Sequence, residues 1–192
     1  MLFPIPRFGP PAHESHTDSL RGFIAADFLP PREILMPIDR RRLLQVVAIL
    51  GALFAYATIV VGGTVRGMGA GLACPDWPLC NGSVVPDLTD GNVLVEFIHR
   101  FVAALTGLFM LSTLIAALVW FRSEMPVVTL SIMSFGVLVI QVGVGAITIT
   151  SDNDWVVVTI HLALGTATLA SALIVALVSL WPAAPSKGAT VG

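Results

Sequence analysis

The chain has 192 residues, of which 56% are hydrophobic and only 11% are charged, with a mean hydropathy of +0.89. A soluble globular domain carries about 25% charged residues, so this composition excludes an ordinary soluble protein and indicates an integral membrane protein. The formal net charge of −2 indicates no basic patch and gives no reason to expect nucleic-acid binding.

Residues 1–38, the N-terminal extension, contain no apolar stretch long enough for a signal peptide, and their acidic residues argue against a mitochondrial transit peptide. Their proline-rich, mixed-charge composition is typical of a disordered cytoplasmic tail. Alternatively, Met36 is the natural start, because it stands directly before a basic segment and an apolar span, and residues 1–35 are then an over-long reading of the gene.

Four apolar segments are long enough to cross a bilayer, since a transmembrane helix needs about 20 mostly apolar residues. We place these spans at Leu43–Val65, Val93–Trp120, Pro126–Thr150 and Trp155–Trp181. They predict an all-α integral membrane protein built as one four-transmembrane-helix bundle. The predicted membrane domain covers residues 39–183, and a short cytoplasmic tail follows at 184–192.

Arginine and lysine near the span ends predict the orientation of the bundle, because these residues concentrate on the cytoplasmic side. Arg40–Arg42 precede the first span, Arg122 lies between the second and third, and Lys187 follows the fourth. Both termini are therefore predicted to be cytoplasmic, and the loop at 67–92 is predicted to be extracytoplasmic.

The first and third spans end alike, in Gly62-Gly63-Thr64 and in Gly143-Val144-Gly145. Paired glycines in membrane helices usually mark close helix packing. The functional alternative for Gly62-Gly63 is a thin helix wall that lets a flat ligand approach. The similar endings also suggest a faint repeat of two helical hairpins.

The outer loop holds the only two cysteines of the chain, Cys74 and Cys80. On the predicted topology they face the oxidising side of the membrane, where disulfides persist. A structural disulfide that stiffens the loop is the simplest interpretation; redox activity and metal binding are the alternatives, although two thiols alone make a poor zinc site. The fold class thus includes a disulfide-containing extracytoplasmic loop.

Two histidines, His99 in the second span and His161 in the fourth, are the only ones in the membrane part of the chain. Both spans run inward, and each histidine lies about six residues, or ~9 Å, inside its span. A small residue follows each at i+4, Ala103 and Gly165. Such a pair suits axial ligation of haem iron in a four-helix bundle. Two buried histidines hydrogen-bonded to protein groups are the plainer alternative, and iron or copper without a porphyrin lacks an obvious third ligand.

Glu96 shares a helix face with His99, at i, i+3 spacing. One interpretation pairs its carboxylate with Arg100 at i+4, and the other places it over the ligand face, where it moves protons or stabilises positive charge. Arg100 and Arg66 alternatively pair with haem propionates, because guanidinium matches carboxylate geometry.

Three motifs of the chain resemble the amino-terminal half of haem A synthases, and the resemblance covers about residues 43–181. They are Gly62-Gly63-x-x-Arg66, the run Gly69–Gly82 around both cysteines, and Glu96-x-x-His99-Arg100. The resemblance implies a membrane oxidoreductase of a prokaryotic cell membrane. Its expected reaction oxidises a ring methyl group of haem O first to an alcohol and then to a formyl group. The product is haem A for terminal oxidases.

The same resemblance implies roles for individual residues. His99 and His161 match the haem-ligand histidines of the family, Glu96 matches its functionally important acidic residue, and Cys74 and Cys80 match its outer-loop pair. The usual family member has eight spans and two histidine pairs, one for substrate haem O and one for a haem b cofactor. This chain looks like a compact, half-length form with one pair, and the expected cofactor or substrate at this pair is haem b, haem O or both.

These features predict a homo-oligomer, since two copies would rebuild the two haem sites of the family with closed symmetry. Haem O synthase, an electron acceptor and membrane lipid are the other expected partners. The first alternative function is a bis-histidine, cytochrome b-like membrane subunit that transfers electrons without catalysis of its own, and the second is a haem-handling assembly factor.

Overall fold

A computed structural model describes residues 39–181, and these form four α-helices and no β-strand beyond one isolated bridge between Cys80 and Ser83. The helices are α1 (Arg40–Gly67), α2 (Gly91–Trp120), α3 (Met125–Thr150) and α4 (Trp155–Leu180). All four are long and apolar enough to cross a membrane. The predicted four-span, all-α membrane fold is confirmed, with every helix end close to the predicted span end. The two predicted tails, residues 1–38 and 184–192, lie outside the described residues, as do residues 182 and 183 of the predicted membrane domain.

Aspartates begin three of the four helices. The carboxylates of Asp39, Asp90 and Asp154 each accept hydrogen bonds from two backbone N–H groups of the first helical turn. These bonds satisfy donors that have no partner within the helix. α3 begins differently, with Pro126 in its first turn, where the missing N–H costs nothing.

The helices form a ring in which α1 contacts α2 and α4, and α3 contacts the same two helices. α2 and α4 therefore lie diagonally across the bundle. The buried apolar side chains are concentrated away from the disulfide loop, and they include Leu44, Ala48, Ala52, Met110, Ala116, Ala117, Val127, Leu138, Ala172 and Val175. Hydroxyl pairs also join helices, Thr58 to Thr106 at 3.0 Å and Ser134 to Ser171 at 2.9 Å. Interhelical hydrogen bonds of this kind support helix association in lipid.

The loop between α1 and α2 is closed by a disulfide between Cys74 and Cys80, as its structural interpretation predicts. Inside it, the Asp76 carboxylate accepts hydrogen bonds from the backbone N–H groups of Asn81 at 2.6 Å and Gly82 at 2.7 Å. The Gly82 hydrogen bond is the main cause that holds the pKa of Asp76 below its usual range. Asp76 therefore acts as an ionised brace of the loop at neutral pH.

The short loop between α3 and α4 touches the disulfide loop at the same end of the bundle. A Cβ atom added to Gly71 would lie 2.8 Å from Nδ2 of Asn153, so only glycine allows this contact without displacement. Asn153 itself has a left-handed backbone, with φ of 59°. The two loops together cover the end of the bundle where the candidate site lies.

Candidate functional site

A cavity of about 660 Å³ lies between the four helices at the end covered by the two loops. This volume falls in the range of about 300–1,000 Å³ that small-molecule and cofactor sites occupy. The five ionisable residues singled out in the sequence all line it: Arg66, Glu96, His99, Arg100 and His161. The disulfide loop contributes Trp77 and Pro78 to the lining, rather than its cysteines.

Each histidine rests against a glycine of the preceding helix. A Cβ atom added to Gly62 of α1 would lie 2.9 Å from Cε1 of His99, and one added to Gly145 of α3 would lie 2.9 Å from Cε1 of His161. Real Cβ atoms do not approach so closely, so each imidazole needs a glycine opposite it. The two-hairpin repeat suggested by the sequence thus has a physical basis: each hairpin supplies one glycine and one histidine.

The two imidazoles come from the diagonal helices α2 and α4 and line the same cavity. Within residues 39–181, Nδ1 of His99 and Nδ1 of His161 are buried without a hydrogen-bond partner. The carbonyl groups of Thr58 and Gln141 lie beside the rings, but hydrogen-bond geometry to these nitrogens is not met. Histidines that bind a metal usually donate their second N–H to such carbonyls.

Two imidazoles that line one cavity suit a flat ligand with a central metal, and Nδ1 of each ring has no hydrogen-bond partner among the described residues. Glycine at both contacts allows each imidazole to lie against the neighbouring helix, and the cavity that both imidazoles line remains open. Among the described residues, no cluster of three or more His, Cys, Asp or Glu is arranged to hold a metal ion. The cavity is lined by two imidazoles, one from each of the diagonal helices, and a bis-histidine haem needs such a pair.

Glu96 and Arg100 form a buried ion pair that ties α2 to the disulfide loop. The carboxylate of Glu96, whose residue is only 5% exposed, accepts a 2.9 Å hydrogen bond from Nε of Arg100. The Nη atoms of Arg100 donate to the carbonyl oxygens of Cys74 (2.6 Å), Asp76 (2.8 Å) and Leu79 (2.6 Å). The structure therefore contains the ion pair between Glu96 and Arg100 that one of the two interpretations predicts. The Glu96 side chain also lines the cavity, as the other interpretation requires.

Arg66 contrasts with Arg100. It lies in the last turn of α1, is exposed and lines the cavity. Within the described part of the chain its side chain forms no ion pair or hydrogen bond. Of the two guanidinium groups considered for an anionic ligand group, Arg66 has its donors available, whereas Arg100 uses most of its donors within the protein.

The two sides of the cavity differ in polarity. Beside His99, positions i−3 and i+1 are Glu96 and Arg100. The equivalent positions beside His161 are Val158 and Leu162, and both line the cavity. An ion pair on one side and aliphatic side chains on the other would orient an asymmetric ligand.

Gln141 is a cavity residue that the sequence analysis missed. It lies on α3, one turn before Gly145, and its side chain reaches the space beside His161. The repeat was the one signal that could have found it, because Gln141 precedes Gly145 by the same spacing at which Thr58 precedes Gly62.

The glycine contacts give a prediction with a matched control. Gly62→Ala should push the His99 imidazole out of position and weaken haem binding, because overpacking costs about 1–3 kcal/mol. Gly63→Ala should bind haem as the wild type does, since a Cβ atom there meets nothing within 4 Å. Haem titration of the two purified variants measures the difference, and equal affinities would refute the contact.

The family model described as cytochrome oxidase assembly protein (COX15-CtaA) matches residues 45–190. Similar curated proteins, each named "Heme A synthase", include one from Exiguobacterium sibiricum, 28% identical over 67% of this chain and 44% of that protein. Another, from Bacillus mycoides, is 29% identical over 70% of this chain and 43% of that protein. The chain thus matches less than half the length of these relatives.

Proposed function

Because the chain belongs to the COX15-CtaA family of cytochrome oxidase assembly proteins, we propose that it is a membrane oxidoreductase of haem A biosynthesis. Its substrate is haem O, and its reaction converts one ring methyl group, through an alcohol, to the formyl group of haem A. The observation that carries the proposal is the pair of glycine-backed imidazoles facing one cavity.

His99 and His161 are the residues that would hold the haem iron through their imidazoles. A bound haem would supply the iron and the ring methyl group on which the oxidation takes place. Arg66 would pair with a propionate at the loop-covered end, where guanidinium and carboxylate match in geometry. This placement orients the ligand with its propionates toward the disulfide loop, which we propose to be extracytoplasmic, with both termini cytoplasmic.

Glu96 is the proposed catalytic residue. Its carboxylate is fixed by Nε of Arg100 at the cavity wall, so it can hold or accept a proton close to the ligand edge. The fixed position is an advantage, because a catalytic group must be held at a defined distance from the reacting atoms. The role proposed for Arg100 is to position Glu96 and to dock the disulfide loop.

One histidine pair per chain gives one haem per chain. We propose that the active form is a homo-oligomer, at least a dimer, in which one copy binds haem O and another holds haem b for electron transfer. Closed symmetry is the usual arrangement of identical subunits. A separate electron acceptor and a haem O synthase are the further proposed partners.

A cytochrome b-like electron-transfer subunit is the second candidate, and one observation favours it. The Glu96 carboxylate is already engaged by Arg100, as expected for a group that only anchors the loop. Electron transfer between haems needs no carboxylate at the haem edge, so this candidate predicts haem binding without haem A formation.

Glu96→Gln separates the two candidates in a bacterial host that makes haem O and lacks its own haem A synthase. Chromatography of extracted haems should show haem A with the wild type and at least about a hundredfold less with Glu96→Gln, because positioned acid–base groups contribute about 10²–10⁴-fold. Glu124→Gln is the control, since Glu124 pairs with Arg41 at the opposite end of the bundle. Haem A in the Glu96→Gln strain at the wild-type level would exclude the catalytic role, and none with the wild type would favour the second candidate.

A further inference from the structure

Gln141 brings an amide group into the cavity from α3. The neighbouring helix makes room for it: a Cβ atom added to Gly165 of α4 would lie 3.1 Å from Nε2 of Gln141. The cavity lining from α3 and α4 also includes the aliphatic side chains of Leu138, Val142 and Leu162. A few polar groups in a mostly apolar wall are the usual means by which a cavity fixes the orientation of its ligand.

The amide of Gln141 is not satisfied by the protein. Within residues 39–181 its Oε1 atom is buried and has no hydrogen-bond partner. Its Nε2 atom has only a 3.5 Å contact, to Nε2 of His161. A buried acceptor without a donor is destabilising. Because Gln141 lines the cavity, a molecule that occupies the cavity is the expected source of the donor.

The chemistry of that partner follows from the amide. Gln141 needs a group that donates to Oε1 and accepts from Nε2, and an alkyl hydroxyl does both. Methyl and vinyl substituents of a haem form no such bonds, and ionised propionates only accept them. We propose, on the basis of the proposed function, that Gln141 is a specificity-determining residue that hydrogen-bonds an alkyl hydroxyl group of the bound haem.

Two hydroxyl groups have this chemistry: the one on the long alkyl substituent that distinguishes haem O from haem B, and the one of the alcohol formed from the ring methyl group. Recognition of the first selects the substrate at binding. Recognition of the second holds the alcohol in place for its further oxidation. Binding and product measurements distinguish them.

The first measurement is titration of haem-free protein in detergent with haem O and with haem B, followed by the low-spin absorbance. The wild type should bind haem O more tightly than haem B. In Gln141→Met the ratio of the two affinities should fall about three- to tenfold because haem O binds more weakly, as expected for the loss of one neutral hydrogen bond. Gln45→Met makes the same change at the far end of α1, where Gln45 donates to the Ser179 carbonyl. This control should keep the wild-type preference.

The second measurement is the haem composition of the host that makes haem O. If Gln141→Met binds both haems with the wild-type ratio but accumulates the alcohol, the recognised hydroxyl is the one on the ring. A wild-type ratio together with wild-type products would overturn the inference, as would equal weakening of both haems, which marks a residue that only positions His161. These outcomes differ from failure of the proposed function, in which the wild type binds haem but forms no haem A.

Discussion

Replacing either His99 or His161 by alanine should abolish the low-spin spectrum of the bound haem. Either substitution removes one of the two imidazoles that face the cavity from α2 and α4, and it would leave the iron of a bound haem with one of its two proposed ligands. We expect haem content to fall at least tenfold during purification, because a metal–ligand bond is lost and the protein offers no replacement within reach. Absorbance and electron paramagnetic resonance of the purified variants measure both effects.

Added imidazole provides the control for this experiment. Alanine leaves a space beside Gly62 or Gly145 that matches the removed ring, so free imidazole supplied together with haem should restore the low-spin spectrum of a correctly folded variant. A variant that misfolds would not respond. An unchanged low-spin spectrum in His99→Ala or His161→Ala without imidazole would eliminate that residue as a ligand.

Arg100→Leu should strongly destabilise the loop-covered end of the bundle. The substitution leaves the buried Glu96 carboxylate and three loop carbonyl groups without their donor. Breaking a buried ion pair by removing one partner costs about 3–5 kcal/mol. We expect a clear fall in the thermal unfolding midpoint in detergent and loss of haem A formation, because the loop and Glu96 are both released.

Arg122→Leu is the matched control for this experiment. Arg122 follows α2, is exposed, and its Nε donates to the carbonyl of Leu118 in the preceding turn. Its loss should change stability by no more than about 0.5 kcal/mol, as is usual for surface substitutions. If Arg100→Leu and Arg122→Leu unfold at the same temperature, the hydrogen-bond hub at Arg100 contributes nothing to stability.

The four helices could be predicted from the sequence because their signals are local. Hydropathy and length identify a membrane span without knowledge of its neighbours. The helix starts are also local, because Asp39, Asp90 and Asp154 accept hydrogen bonds from the first turn of the helix that each begins. The candidate site residues were predicted for the same reason. An ionisable residue in an apolar segment, such as His99 or His161, can be recognised from the sequence without knowing which residues it contacts.

The contacts that build the site could not be predicted, because they join positions far apart in the chain. Gly62 is required by a ring of the next helix, and the carbonyl groups that receive Arg100 belong to a loop with no regular structure. Gln141 appears in the sequence as one polar residue in an apolar helix, a pattern that is equally typical of a packing contact. Its unsatisfied oxygen is visible only when α3 and α4 are assembled.

Native mass spectrometry of the protein purified from a host that makes haem O tests the central claim most directly, because one spectrum counts chains and haems and the mass of the ejected haem identifies it. We predict an oligomer with one haem per chain, in which haem A accompanies haem O or haem b, and a His99→Ala sample without bound haem. A wild-type protein that carries no haem, or a haem retained unchanged in His99→Ala, would contradict the account.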